Sequence, residues 1–181
     1  MDTICYVSAT DPVRPSIVRA RYVHFDGYPL ALIPQLRGIW TKTARRDTHA
    51  LIDAVLAHDW YYLGSDVTPD TRSFPNQHPV RGVGVTLDDA EPEPVTVFPL
   101  SRAVDLDASW IYVINPTDHT ITAHTGDGDP AGVHPLGSPA TRRTTALPDR
   151  ASPHVQRHVT PSRAPTTRPY RARHLDRREP T

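Results

Sequence analysis

Two segments near the N-terminus have the residue pattern of β-strands. Residues 3 to 8 are rich in β-branched and aromatic side chains, and residues 16 to 25 alternate between two sets of side chains. The Asp11-Pro12 pair lies between them and is typical of a turn. The pattern therefore predicts two strands that pair as a hairpin.

Apolar residues then recur at helical spacing over residues 29 to 40 and over residues 44 to 58. Pro29 suits the first turn of a helix because its φ is already helical. Pro34 either kinks this helix or delays its start. Thr43 is a plausible N-cap for the second helix. The apolar stripe of the second helix consists of Leu51, Ile52, Val55 and Leu56.

Beyond the second predicted helix, the sequence again contains patterns typical of β-strands. Residues 64 to 79 are polar and turn-rich, residues 80 to 87 alternate apolar and small side chains, and residues 95 to 98 predict a short edge strand. Residues 110 to 114 and 120 to 124 form the clearest hairpin pattern. Strands, two consecutive helices and further strands predict an α+β domain built on an antiparallel sheet.

Beyond residue 125, apolar residues no longer recur at regular spacing. Residues 126 to 181 contain nine of the 20 prolines and only scattered apolar side chains. Such a segment buries too little apolar area to offset its loss of conformational entropy on folding. We expect a single domain over residues 1 to 125 and a disordered, Pro/Arg-rich tail over residues 126 to 181.

The zero net charge of the chain conceals an asymmetry. Residues 1 to 125 carry 10 Lys and Arg against 15 Asp and Glu, whereas residues 126 to 181 carry 10 Arg against five Asp and Glu. The arginines at 142 to 178 suit contact with nucleic-acid phosphates. A solvated tail is the favoured interpretation, because lysine is absent there and Tyr170 is the tail's single aromatic residue.

Cys5 is the single cysteine, so an internal disulfide and a cysteine-based zinc cluster are excluded. No signal peptide and no apolar run long enough to span a bilayer is present. These features predict a cytoplasmic protein without a membrane partner. No spacing of His, Asp or Glu resembles a metal motif, and no dinucleotide-binding loop is present, so we expect neither a metal nor a cofactor.

The segment from residue 22 to residue 29 contains the candidate chemistry. His24 and Asp26 lie two apart on a predicted strand and should share one face, where the carboxylate would orient the imidazole for base catalysis. Asp26 is equally explained as a turn residue, and His24 as a half-buried strand residue. Tyr28, Tyr61 and Tyr62 flank predicted turns and are candidates to line a ligand pocket with His24.

Cys5 offers a second route to catalysis. An N-terminal nucleophile requires removal of the first four residues, so that the cysteine's own amine acts as the base. A small buried strand cysteine is the favoured alternative.

Two segments resemble a known group of proteins. Tyr22-Val-His-Phe-Asp-Gly-Tyr-Pro29 resembles a Tyr-x-His-x-Asp-Gly-Tyr-Pro motif of small uncharacterised proteins of actinobacteria and their phages. The Trp110-Ile-Tyr-Val strand resembles a strand near the end of the same proteins. Some relatives resemble class II glutamine amidotransferases, which use an N-terminal cysteine; Cys5 is the nearest counterpart here.

The sequence favours a non-enzymatic domain that binds a small molecule or a protein at the turn from Asp26 to Tyr28. Two alternatives stay open. One is a small hydrolase or amidotransferase-like enzyme that uses Cys5 or the His24–Asp26 pair. The other is a nucleic-acid-binding protein that acts through its arginine-rich tail.

Overall fold

The computed structural model describes residues 3 to 87 and 94 to 137, and the α+β class is confirmed. Two α-helices and one 3₁₀ segment accompany a nine-stranded sheet in this part of the chain. The strands are β1 (Cys5–Thr10), β2 (Ile17–Val23), β3 (Trp60–Leu63), β4 (Pro79–Val80), β5 (Gly84–Thr86), β6 (Thr96–Pro99), β7 (Trp110–Asn115), β8 (Thr120–Thr125) and β9 (Pro130–Pro135). The helices are α1 (Pro29–Lys42) and α2 (Thr48–Val55), and the 3₁₀ segment is Leu100–Leu106.

The sheet is mixed, whereas the sequence predicted an antiparallel one. The strand order is β4-β5-β3-β2-β1-β7-β8-β9, with β6 also paired to β2. The predicted β1–β2 and β7–β8 hairpins are confirmed as antiparallel pairs. β1 pairs with β7 in parallel, and β2 pairs with β3 in parallel. The β2–β3 pairing is parallel because α1 and α2 form a crossover that brings the chain back in the same direction.

One edge of β2 is shared by two strands. β6 pairs with residues 17 to 20 of β2, and β3 pairs with its last residue, Val23. Asp59 lies at the gap, and its Oδ1 accepts a hydrogen bond from the Tyr22 backbone N–H at 2.9 Å. A carboxylate thus supplies the acceptor that a neighbouring strand would otherwise provide.

The two faces of the sheet are covered differently. Both helices pack on one face, where the larger core cluster includes Val7, Leu36 and Trp60. The opposite face carries a smaller cluster around Ala20 and Ile111, which is covered by the 3₁₀ segment. Alternation along each strand divides its side chains between these two environments.

The second helix is shorter than predicted. It begins at Thr48, and its N-cap is Asp47, whose Oδ1 accepts from the backbone N–H groups of His49 and Ala50. Arg45 and Arg46 have positive φ angles of 52° and 66°, which no helix accommodates. The prediction of a helix from residue 44 with Thr43 as its cap was therefore wrong.

Two further boundaries differ from the predictions. The strand expected over residues 80 to 87 is two short strands, β4 and β5, separated by a turn at Gly82 with φ +69°. The sheet also continues past residue 125, since β9 pairs with β8 and Leu136 is buried. Residues 126 to 137 thus belong to the folded body, and the rest of the predicted disordered tail lies outside the described residues.

Candidate functional site

The turn after β2 is fixed by contacts to Gly27. Its N–H donates to the Thr3 carbonyl at 2.9 Å, and its carbonyl accepts from the Tyr112 hydroxyl at 2.7 Å. A Cβ at this position would lie 2.4 Å from the Thr3 oxygen and 2.8 Å from the Cys5 Cβ. Glycine is therefore required here by close packing.

The left-handed residue of this turn is Asp26, with a φ of 58°. Asp and Asn tolerate this conformation better than most side chains. β2 ends at Val23, so His24 and Asp26 do not occupy alternate positions of one strand. The expectation that they share a face and form a pair is therefore corrected: Asp26 is exposed, and His24 is hydrogen-bonded to the Tyr22 hydroxyl.

His24 belongs instead to a row of rings on the face opposite the helices. Its Nδ1 lies 3.0 Å from the Tyr22 hydroxyl, and its ring stacks on Tyr61 at 5.8 Å. Successive rings in the row lie 5.7–6.2 Å apart between centroids. We call this set the aromatic row; its members in spatial order are Phe98, Tyr6, Tyr22, His24, Tyr61 and Phe74.

The two ends of the aromatic row differ in exposure. Phe98 is buried near the 3₁₀ segment, whereas Phe74 is 63% exposed. Beside Tyr61 and Phe74 lies a cavity of about 160 Å³ that is also lined by Arg72, Ser73 and Gln77. Bonds from Ser73 Oγ to the Gln77 carbonyl and from the Phe74 N–H to Gln77 Oε1 hold this loop in place. The row therefore ends at an ordered aromatic surface with one cationic side chain.

Asp26 and Tyr62 line a different cavity, of about 300 Å³, beside α1. Gln35 of α1 closes one side, and its Oε1 accepts from the Ser65 N–H at 3.0 Å. Tyr28 precedes α1 and is 44% exposed. The structure therefore brings His24 and Tyr61 together, places Asp26 with Tyr62, and leaves Tyr28 outside both groups.

Cys5 is fully buried in the core, as the favoured interpretation expected. Burial raises the pKa of its thiol far above the usual range, so the thiolate that a nucleophile requires is not formed at neutral pH. Burial likewise raises the pKa of the neighbouring Tyr112, which keeps its hydroxyl a donor to Gly27. Tyr112 thus holds the turn through a hydrogen bond, and Cys5 packs closely against Gly27.

Arg21 and Asp59 form a structural link between the sheet and α2. Arg21 is buried, its Nε donates to the Leu56 carbonyl at 2.9 Å, and its Nη1 lies 3.8 Å from Asp59 Oδ2. A guanidinium is favourable at a helix C-terminus because it satisfies the last carbonyls. Burial and the charge of Arg21 lower the pKa of nearby His58, although Asp59 acts in the opposite direction.

Among residues 3 to 87 and 94 to 137, no three His, Cys, Asp or Glu side chains are placed to hold a metal ion. No helix within the same residues is long and apolar enough to cross a membrane. No family model, no curated protein and no solved structure matches the chain.

Sequence reasoning missed part of the aromatic row. Tyr6 and Tyr22 alternate with core positions on their strands, which was a usable signal for a second aromatic face. Phe74 and Arg72 lie in the polar segment that was interpreted as a loop. A phenylalanine in such a segment is a sign of packing or binding, but only the fold brings it to Tyr61.

Proposed function

We propose that the protein is a non-enzymatic binding domain whose partner lies on the open end of the aromatic row, at His24, Tyr61 and Phe74. The observation that supports this proposal most strongly is Phe74, a large apolar side chain that is 63% exposed yet packs its ring against Tyr61. Exposed aromatic clusters with a polar rim are typical of binding surfaces.

The partner we propose is a short, extended, proline-containing segment of another protein. Proline-containing segments in the polyproline II conformation dock on aromatic side chains, and the rings of His24, Tyr61 and Phe74 lie side by side at the open end of the row. Arg72 is positioned beside the rings, where its side-chain N–H groups are suited to bind peptide carbonyls. Aromatic-lined grooves recognise such segments because little conformational entropy is lost on binding.

Charge argues against a nucleic acid on this surface. Residues 1 to 125 carry a net charge of −5, and Arg72 is the single cation that lines the cavity beside Tyr61 and Phe74. Binding of a phosphate backbone requires several Lys or Arg contacts. The alternative of nucleic-acid binding through residues 142 to 178 lies outside the described residues and stays open.

The enzymatic alternative has less support. Cys5 is buried with a neutral thiol, and the described partner of His24 is a tyrosine hydroxyl rather than Asp26. The relationship to actinobacterial and phage proteins also stays a proposal, because it rests on the motif at residues 22 to 29 and the strand at Trp110.

Selection from a displayed random peptide library on the full chain tests the proposal. We expect enrichment of proline-containing peptides, and we expect Tyr61→Ala and Phe74→Ala each to weaken their binding by about tenfold or more. Leu30→Ala is the matched control, because Leu30 is 87% exposed on α1, away from the row. Equal binding of the selected peptides to wild type and Phe74→Ala would overturn the proposal.

A parallel measurement addresses the nucleic-acid alternative. Single-stranded DNA is titrated against the full chain and against a chain that ends at residue 137, which retains all nine strands. Binding through the tail should weaken steeply with salt and disappear with the truncation. Salt-sensitive DNA binding that instead requires Phe74 would assign the aromatic row to nucleic acid.

A further inference from the structure

Two arginines on one face of β2 have contrasting surroundings. Arg19 and Arg21 lie two residues apart, so both side chains point toward the helices. Arg21 Nε donates to the Leu56 carbonyl. Arg19 Nε is also shielded from solvent, yet it has no hydrogen-bond partner in the part of the chain that the structure describes. A buried donor without an acceptor is unfavourable, so an acceptor that reached this guanidinium from the cavity would be stabilising.

Arg19 lines a cavity of about 470 Å³ on the helix-covered side of the sheet. The cavity lies between the end of β1, the β1–β2 turn, α2 and the β7–β8 turn. His49, Ile52 and Asp53 share one face of α2 there, since they are spaced three and four residues apart. Its volume is within the range of small-molecule sites, which is roughly 300–1,000 Å³.

Two carboxylates line the same cavity, and only one is engaged by the fold. Asp11 accepts hydrogen bonds from the backbone N–H groups of Val13 and Arg14, and its Oδ2 lies 4.0 Å from Arg14 Nη2. The Asp53 carboxylate is exposed and makes no hydrogen bond or ion pair with any residue in the described ranges. The cavity is therefore lined by a guanidinium whose buried Nε–H has no acceptor and by a solvent-exposed carboxylate.

This charge pattern selects among ligand classes. A phosphate or another multiply charged anion would be repelled by Asp11 and Asp53, and a simple cation would leave the Arg19 Nε–H without an acceptor. A ligand with a carboxylate at one end and an ammonium at the other satisfies both groups. Ala9 and Ile52 provide an apolar wall for the rest of such a molecule.

We propose that this cavity binds a small amino-acid-like zwitterion, with its carboxylate on the Arg19 guanidinium and its ammonium group on Asp53. The site lies on the opposite face of the sheet from the aromatic row. Its occupation therefore does not depend on the proposed function of that row.

Calorimetric titration and amide NMR spectra of the full chain test the proposal with the proteinogenic amino acids as probes at millimolar concentration. We expect at least one amino acid to bind and to shift the amide signals of Ala9, Ile52 and Asn115, which line the cavity. Acetate and methylammonium, each carrying half of the charge pattern, should bind about tenfold more weakly or not at all. Failure of every amino acid to shift these signals would overturn the proposal.

Variants separate the site from non-specific binding. Arg19→Gln and Asp53→Asn should each weaken the affinity by about tenfold or more. Arg14→Gln is the matched control, because Arg14 is 65% exposed on the same turn and does not line the cavity. Unchanged affinity in both cavity variants, or an equal loss in the control, would contradict the assignment. If Arg19→Gln unfolds by circular dichroism, Asp53→Asn and the wild-type NMR shifts decide the question.

Discussion

The two faces of the sheet differ in how their side chains are covered. On the helix-covered face, α1 and α2 exclude solvent from a continuous apolar cluster that includes Trp60 and Tyr112. On the opposite face, the 3₁₀ segment covers only part of the surface, and the aromatic row continues beyond it to the exposed Phe74. We therefore expect most of the stability to come from the helix-covered face, while the other face leaves part of its aromatic area exposed to solvent.

Trp60 and Tyr61 provide the most direct test of this difference, since they are adjacent on β3 and point to opposite faces. Trp60 is fully buried and donates from Nε1 to the Val55 carbonyl at 2.8 Å. We expect Trp60→Ala to lower the free energy of unfolding by about 3–5 kcal/mol. Tyr61→Ala should cost about 1 kcal/mol, because its ring is half-buried.

Urea denaturation of both variants followed by far-UV circular dichroism measures these losses. If the two substitutions lower the free energy of unfolding equally, the two faces contribute alike and the aromatic row is part of the stabilising core.

Gly27 tests how tightly the turn between β2 and α1 is packed. A methyl group there would meet the Thr3 carbonyl oxygen at 2.4 Å, so the β1 end or the turn must shift. We expect Gly27→Ala to lower the free energy of unfolding by about 2–3 kcal/mol in urea denaturation, since backbone atoms move aside less easily than side chains. Asp26→Gly is the control at the next residue; it should be neutral or stabilising because φ there is 58°. If Gly27→Ala leaves the free energy of unfolding unchanged, the turn between β2 and α1 is loosely packed.

Tyr112 holds the same turn from the helix-covered side. Tyr112→Phe removes the hydroxyl that donates to the Gly27 carbonyl and leaves that carbonyl buried without this donor. The expected loss is about 1–2 kcal/mol, measured by the same denaturation experiment. Tyr6→Phe is the matched control on the opposite face, where the hydroxyl belongs to a half-buried ring. A larger loss for Tyr6→Phe would reverse the assignment of the two faces.

His58 gives the smallest expected effect, a dependence of stability on pH. Its pKa is lowered in the folded chain by burial and by Arg21, so the unfolded chain binds the proton more readily. The free energy of unfolding should therefore fall as the pH drops through and below the unfolded value of about 6.5. The change should be modest because the imidazole is only partly buried.

Denaturation midpoints at about pH 7.5 and pH 5.5 measure this effect. His58→Gln should reduce the difference between the two conditions relative to wild type. An unchanged difference would assign the pH dependence to other groups.

The sequence predicted those elements whose signals are local. The β7–β8 hairpin and the β1–β2 hairpin follow from alternation and turn residues, and both are confirmed. The start of α2 was wrong because Thr43 and Asp47 both have side chains suited to an N-cap, and only the structure shows that the Asp47 carboxylate makes the two capping bonds. β9 was missed because residues 130 to 135 contain two prolines and a glycine, and only pairing with β8 makes them a strand.

The candidate site was predictable only in part, for a related reason. His24 and Tyr61 are 37 positions apart, and backbone bonds across the β2–β3 crossover bring them together: the His24 N–H donates to the Trp60 carbonyl, and the Phe25 N–H to the Tyr61 carbonyl. Asp26 is separated from His24 because its own backbone is left-handed. The alternation of apolar and polar residues in the sequence does not reveal such a conformation. The cavity at Arg19 depends on three distant segments and has no local signal.

Proline occurs in each of the outer strands β4, β6 and β9, at Pro79, Pro99, Pro130 and Pro135. A strand at the margin of a sheet is a template for another chain, because its unpaired N–H and C=O groups invite the growth of intermolecular sheets. Each proline removes one such donor. Replacing Pro130 and Pro135 by threonine is expected to promote self-association at high protein concentration. We therefore expect these four prolines to limit amyloid-like assembly at the margins of the sheet.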